Sequence, residues 1–338
     1  MKQLSLVIQG PVQTKEQTLE QFLWQLQRVR DTFPLAEIIV SSWDMADAGN
    51  EFLADLLSHM DITLVLSDDP GPIIGWESAG KHLTNVNRQL VSTRAGLNAA
   101  TRELVIKLRT DCYLTDRSIV RLLEQHVAAD DGFIRDNTFS VFSQRVITAS
   151  WIARDARGSL PFLFHPGDIF LAGRTEDIKV FFNSPLATQD LFMPTIFPGG
   201  LWCAWRYVPE QWLWVHAIKK VTGKSVFDGN SQRSEQLISL SEQYFLANFI
   251  AFNPEHLGLR WPKFQRKYKW RGAFSVYSYS RWLRLYKRYN GVKAFTPRAL
   301  VSYLITRVWR WGYIIRARLL CCEAIRRVVL SVFIHRSE

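Results

Sequence analysis

NVNRQLVSTRAGLNAATRELVIKLRTD, residues 85–111, decides how this chain is read. Val86, Leu90, Thr93, Leu97 and Ala100 recur at helical spacing, a stripe that a helix can bury. Asn87, Arg88, Arg94 and Asn98 lie off that stripe, open to a ligand or to water. The run LVIKL that follows is apolar and β-rich, as a strand buried in a parallel sheet should be. It delivers Arg109, Thr110 and Asp111 to the carboxyl edge of the sheet, where open α/β folds bind their ligands. Alternation along the strand points Lys107 and Arg109 to one face and Leu108 to the other. Two plainer roles compete for Asp111: capping a helix that begins near Thr115, or pairing with Arg109.

Working outward, LSLVI near the amino terminus is an apolar run of strand length that stops at the turn signal Gln9-Gly10-Pro11. A helix is expected over about residues 15–30, with Phe22, Leu26 and Val29 on one face. EIIVSSW and DITLVLS are two further strand-like runs, separated by the helix-like NEFLADLLSHM. Strands alternating with helices predict βαβ units and a mostly parallel sheet. Right-handed crossovers then gather the strand ends on one rim. Its loops are Gln9-Gly10-Pro11, Ser41-Ser42-Trp43, Ser67-Asp68-Asp69-Pro70-Gly71 and Arg109-Thr110-Asp111. Such a rim suits a nucleotide, although Asp, Pro and Gly at 68–71 are also what any turn selects. Neither the glycine fingerprint of a dinucleotide site nor GxxxxGK[ST] is present, which removes the common NAD and P-loop readings.

The pieces VIQGPV, IIVSSW, SDDPG, NVNRQLVSTRAGL and IKLRTD, with weaker support from FHPGDIFLAG and PEQWLW, resemble the WavE family of lipopolysaccharide synthesis. The resemblance implies a glycosyltransferase of bacterial surface polysaccharide pathways. Its implied fold is GT-A-like (Rossmann-like): an α/β, mostly parallel sheet flanked by helices. In GT-A enzymes an Asp-x-Asp after a strand binds a divalent metal and the nucleotide diphosphate. This chain departs from that pattern, with Arg109 where the first acid would stand. A single carboxylate, Asp111, can still hold Mg²⁺ or Mn²⁺, because such ions keep waters and take phosphate oxygens as ligands. Alternatively Arg109 and Lys107 neutralise the diphosphate without a metal, since Arg matches phosphate bidentately. The expectation leans towards Mg²⁺ or Mn²⁺ at Asp111. The expected contacts to the nucleotide-sugar donor are Gln9, Gly10, Pro11, Ser42, Trp43, Asp69, Asn87, Arg88, Lys107 and Arg109.

Glycosyl transfer with inversion needs a carboxylate to deprotonate the acceptor hydroxyl. The candidates are Asp168 in HPGDIF and Glu210 in PEQWLW. Asp168 lies between a Pro-Gly turn and the strand-like IFLAG. Glu210 is flanked by Trp205, Tyr207, Trp212 and Trp214, either sugar platforms or ordinary core. The competing reading for both acids is a surface or capping role. His165 has no second His, Cys or Glu at metal spacing, so a structural role is expected.

Composition bounds the rest. A chain of 338 residues, 47% hydrophobic, has room for one large or two moderate domains. Four cysteines, two of them adjacent, do not form a disulfide framework, and no signal peptide is visible; a reducing cytoplasmic compartment is expected. Residues 260–338 carry 19 Lys plus Arg against 2 acids, a net of +17. The whole chain is +11, so residues 1–259 carry −6 by difference. A boundary is expected near residue 255: a catalytic domain over residues 1–255, and a basic, largely helical region over 256–338.

In the tail from about Ala299, no uncharged run exceeds residues 299–306, far short of the roughly 20 residues needed to cross a bilayer. Arg recurring among aliphatics with Trp309, Trp311 and Tyr313 is the pattern of an in-plane interfacial helix. Each basic residue near an anionic leaflet contributes on the order of 1 kcal/mol. Peripheral attachment to the inner face of the cytoplasmic membrane, near a lipid-linked acceptor, is therefore expected; the alternative is that these helices pack on the catalytic domain. Nucleic acid is not expected: KFQRKYKWRGAFSVYSYSRW interleaves basic and aromatic residues, but no nucleic-acid fold motif is present. Two function classes remain. One is a membrane-associated glycosyltransferase. The other is a non-catalytic binding protein on a degenerate transferase fold, kept open by Arg109.

Overall fold

Six residues buried along their whole length, Leu4–Gln9, form the inner strand β1. The computed structural model describes residues 3–44, 48–77, 80–128, 132–195, 203–262, 274–291 and 297–334. Helix α1 (Leu19–Thr32) follows β1, opened by a capping box in which Thr18 and Gln21 satisfy each other's backbone N–H, and buries Phe22, Leu26 and Val29. Then come β2 (Glu37–Trp43), α2 (Ala48–Ser58), β3 (Thr63–Ser67), an antiparallel hairpin of β4 (Ile73–Glu77) and β5 (Gly80–Thr84), α3 (Val86–Ala99) and β6 (Leu104–Arg109). Strand β1 pairs in parallel with both β2 and β6, and β2 with β3. Each of these strands was legible in the sequence.

The second half adds β7 (Tyr113–Leu114), α4 (Ser118–Leu123), β8 (Val146–Ala149), β9 (Leu171–Arg174), α5 (Thr175–Phe182), β10 (Phe192–Thr195), β11 (Cys203–Trp205), α6 (Pro209–Thr222), α7 (Glu235–Asn248), β12 (Phe249–Phe252) and β13 (Leu259–Arg260). Helices α8 (Tyr279–Tyr289), α9 (Pro297–Leu319) and α10 (Glu323–Ile334) complete the chain. The central sheet has seven strands in the order β12-β8-β9-β6-β1-β2-β3. All neighbours are parallel except β9, which runs antiparallel to β6 and β8. The α/β class, the mostly parallel sheet and the helical C-terminal region are as expected.

Helix α3 lies unusually close to the sheet. A Cβ on Gly96 would fall 2.6 Å from Val7 Cγ1 and 3.0 Å from Ser41 Cβ, so only glycine fits. Ser41 Oγ donates to the Ser92 carbonyl at 2.7 Å across the same contact. The expected stripe of Val86, Leu90, Thr93, Leu97 and Ala100 is buried, and Asn98 is exposed.

The expected boundary near residue 255 falls inside the hydrophobic core. Trp261, Tyr277, Trp282 and Leu285 belong to the same buried cluster as β1 and β6. Trp282 is fully buried, and its indole N–H donates to the Phe249 carbonyl at 2.7 Å. Strand β13 pairs with β7. The basic segment at residues 263–273 lies outside the described residues. Among the described residues no helix is long and apolar enough to cross a membrane.

Candidate active site

Because β1, β2 and β6 are parallel, their carboxyl ends open on one side of the sheet, and there the loops enclose a cleft of about 1450 Å³. Gly10 turns the chain at the end of β1 with φ of +126°, a backbone only glycine adopts without strain. Its N–H donates to the Ser41 carbonyl at 3.0 Å. Thr110 at the end of β6 locks the neighbouring loop: its N–H donates to the Gln9 carbonyl and its hydroxyl to the Pro11 carbonyl. The rim is thus fixed by backbone hydrogen bonds before any ligand arrives.

Ten of the residues expected to act line this cleft: Gln9, Gly10, Pro11, Trp43, Asp69, Arg88, Arg109, Asp111, Asp168 and Glu210. Arg88 clamps Asp69 with two charge-assisted bonds of 2.7 and 2.6 Å, and this hydrogen bonding holds the Asp69 carboxyl below its usual range. Asp69 Oδ1 also accepts from the Gly71 N–H, so it is a turn residue as well as a wall of the cleft.

Three expected donor contacts sit elsewhere. Ser42 is buried and does not line the cleft. Asn87 lies off the apolar stripe yet is buried, because its side chain both donates to the Ala187 carbonyl and accepts from the Ala187 N–H. Lys107 is fully buried beneath the floor, where its ammonium donates to the Asp168 carbonyl at 2.6 Å and lies 5.1 Å over the Phe182 ring. Burial pushes its pKa down to about 8, against the neighbouring Asp168 charge, which raises it. Its structural role is to hold the Asp168 backbone. Arg94, also read as open, donates to the Phe182 carbonyl at 2.7 Å.

Asp111 is paired with Arg109. The guanidinium donates to its two oxygens at 2.9 and 2.8 Å, and the Trp261 indole adds a third bond at 3.0 Å. Asp111 does not cap the following helix, where the Ser118 N–H donates instead to Asp116. Burial opposes the Arg109 charge, but the Asp111 carboxylate outweighs it and holds the guanidinium pKa above its ordinary value. Among the described residues no group of three or more His, Cys, Asp or Glu could hold a metal ion. A carboxylate with both oxygens committed to a cation is a poor ligand for Mg²⁺ or Mn²⁺, so the residues present do not fit the expected metal.

Asp168 and Glu210 come together. Asp168 precedes β9 in a turn made by Gly167 (φ +86°), and Gln89 of α3 donates to its Oδ2 at 2.8 Å. Burial, then the nearby Glu210 charge, push the Asp168 pKa up to about 6. Glu210 sits in the first turn of α6, and burial raises its pKa too. His165 Nε2 lies 3.4 Å from Glu210 Oε2; burial drives the imidazole pKa down to about 3, so it is neutral. The cleft therefore holds a buried Asp168 and a half-buried Glu210, both with raised pKa values.

Of the two readings open for the aromatics around Glu210, the fold favours core for α6. Trp212 and Trp214 are core residues, because α6 buries that face; Trp212 donates to the Pro185 carbonyl. The cleft takes its rings from Trp24, Trp43, Tyr113 and Trp261 instead. Of the residues missed, Gln89 carried a weak signal as a polar residue beside Arg88 in the first turn of α3. Trp261 carried none, since it lies 150 residues from the carboxylate it contacts.

A model of the family described as WavE lipopolysaccharide synthesis matches residues 4–312. The chain belongs to the WavE family. The family's description places the chain in lipopolysaccharide synthesis. Among curated proteins no sequence match is found. Among solved structures, this WavE chain is similar to TarS of S. aureus at 10% identity and TM-score 0.35, over 64% of this chain and 33% of TarS. The match thus spans about a third of TarS. It is also similar to the galactosyltransferase LgtC, described with donor and acceptor sugar analogues, at 10% identity and TM-score 0.32, over 88% of this chain and 99% of that one. Mouse xyloside xylosyltransferase 1 matches at 12% identity and TM-score 0.28, over 73% of this chain and 83% of that one. Likeness at this level carries no argument about substrate.

Proposed function

We propose that this WavE protein transfers a sugar from a nucleotide-sugar donor to a hydroxyl of a lipopolysaccharide or surface-polysaccharide acceptor, with Asp168 as the base. The observation that carries it is Asp168 itself: a cleft carboxyl with pKa near 6, oriented by Gln89, beneath a rim bearing Arg88 and Arg109. The donor lies along Gln9, Gly10, Pro11 and Trp43, with its diphosphate towards Arg109 and Arg88. The acceptor oxygen bonds to the anomeric carbon as the bond to the diphosphate oxygen breaks. Asp168 accepts the acceptor proton, and the inverted product leaves with the nucleoside diphosphate. Arginine supplies preorganised positive charge to the leaving group; no step is routed through a metal. The exposed ring of Trp24 suits a sugar acceptor, and a lipid-linked one fits the basic tail.

The test is nucleotide release from a panel of nucleotide sugars with lipopolysaccharide core or lipid-linked sugars as acceptor. Wild type turns over one donor class and Asp168→Asn does not; equal turnover by both variants sinks the assignment. The Arg109–Asp111 clamp favours a second reading, a sugar- or nucleotide-binding protein without turnover. It predicts tight ligand binding and no released nucleotide with any donor.

A further inference from the structure

Helix α9 is mounted with its apolar stripe outward. Val301, Leu304, Val308, Trp311, Ile315 and Leu319 follow one another at steps of three or four residues and share one face, yet each is 53–72% exposed. The side turned towards the protein is the polar one. There the Arg281 guanidinium of α8 reaches the Thr306 hydroxyl at 3.1 Å and the Ser302 hydroxyl at 3.4 Å, with Thr306 buried. The attachment of α9 thus inverts the usual amphipathic arrangement, and a contiguous apolar strip of six large side chains is left uncovered. Exposed arginines border it, Arg307 and Arg318 along one margin and Arg316 along the other, with Trp309 beside Arg316.

We propose that this face of α9 seats the protein in the plane of an anionic phospholipid surface. Six aliphatic and aromatic side chains enter the acyl boundary, tryptophan lies at the margin, and the flanking guanidiniums meet lipid phosphates. Charge complementarity selects this occupant. Residues 260–338 carry 19 basic residues against 2 acids, so a second copy of the same face would bring like charge against like. Nucleic acid would meet the arginine margins but find five aliphatic side chains and a single ring, Trp311, between them. The helix lies in the surface and does not cross it, since no described helix is long and apolar enough to span a membrane. Vesicle binding and sugar transfer do not depend on one another, so this proposal and the transferase reading stand or fall separately.

The experiment is flotation of the full chain with large unilamellar vesicles of phosphatidylcholine, alone or mixed with phosphatidylglycerol. Wild type floats with the anionic vesicles, and added salt releases it. The triple variant Val308→Ser, Trp311→Ser, Ile315→Ser keeps its fold by circular dichroism, because all three side chains are already exposed. It loses roughly tenfold or more of the vesicle-bound fraction, as does Arg307→Gln with Arg318→Gln. Wild type that floats with neither vesicle, or a triple variant that floats like wild type, overturns the proposal. So does light scattering that shows a dimer in wild type and a monomer in the triple variant, since the face would then be occupied by a second copy.

Discussion

Asp168 concentrates the chemistry of this site into one titration. The proposed base must be ionised to act, and its pKa of about 6 places that ionisation just below neutrality. The value of kcat/KM is therefore expected to fall as pH drops through about 6 and to level off above it. Part of the upward shift comes from Glu210, so Glu210→Gln removes a negative neighbour and moves the acid limb to lower pH. A limb that moves up, or stays where it was, would show that the two carboxyls are not coupled. Replacing the base itself, Asp168→Asn, is expected to lower kcat by about 10²- to 10⁴-fold with little change in KM. Both acids were legible as candidates because each follows a turn or helix start. What sequence could not supply was their adjacency, or the burial of Lys107 beneath them. Lys107 looks like a rim cation by strand alternation, and only the Asp168 carbonyl, 61 residues away, explains its place in the core.

At the scale of elements, the packing of α3 on β1 and β2 sets the width of the cleft, because α3 carries both Arg88 and Gln89. Gly96 permits that approach. Gly96→Ala drives a methyl to 2.6 Å from Val7 Cγ1 and is expected to cost about 1–3 kcal/mol. Chemical denaturation checks it: the midpoint should drop while the slope stays constant, and an unchanged midpoint would mean that α3 yields easily. The apolar stripe of α3 was readable from its spacing, since periodicity reports burial directly. Asn87 escaped that logic. A buried amide paired to the Ala187 backbone satisfies its hydrogen bonds across 100 residues, and local patterning contains no trace of such a partner. For α6 the sequence left Trp212 and Trp214 open between sugar platform and core, and the fold makes both core.

For the whole molecule, the charge asymmetry read from composition divides the chain differently from the packing. Core contacts run through Trp282 and Leu285, well past residue 255, and Trp261 reaches back to the cleft itself. The basic composition sets in near residue 260, before these core contacts end. In the proposed cycle the leaving diphosphate competes with Asp111 for Arg109, so the positive charge comes from the protein. Transfer is accordingly expected to change by less than about twofold on treatment with EDTA. Loss of activity restored by Mn²⁺ would show that Asp111 leaves Arg109 to take a metal. The most direct measurement is calorimetric binding of UDP, GDP, CDP and CMP to the folded wild type and to Arg109→Gln. One nucleotide should bind the wild type, and the variant should bind it roughly tenfold to a hundredfold more weakly, as the loss of a charged phosphate contact requires. Binding of none of the four by folded wild type, or equal affinity in the variant, would contradict the assignment of the cleft as a nucleotide-sugar site.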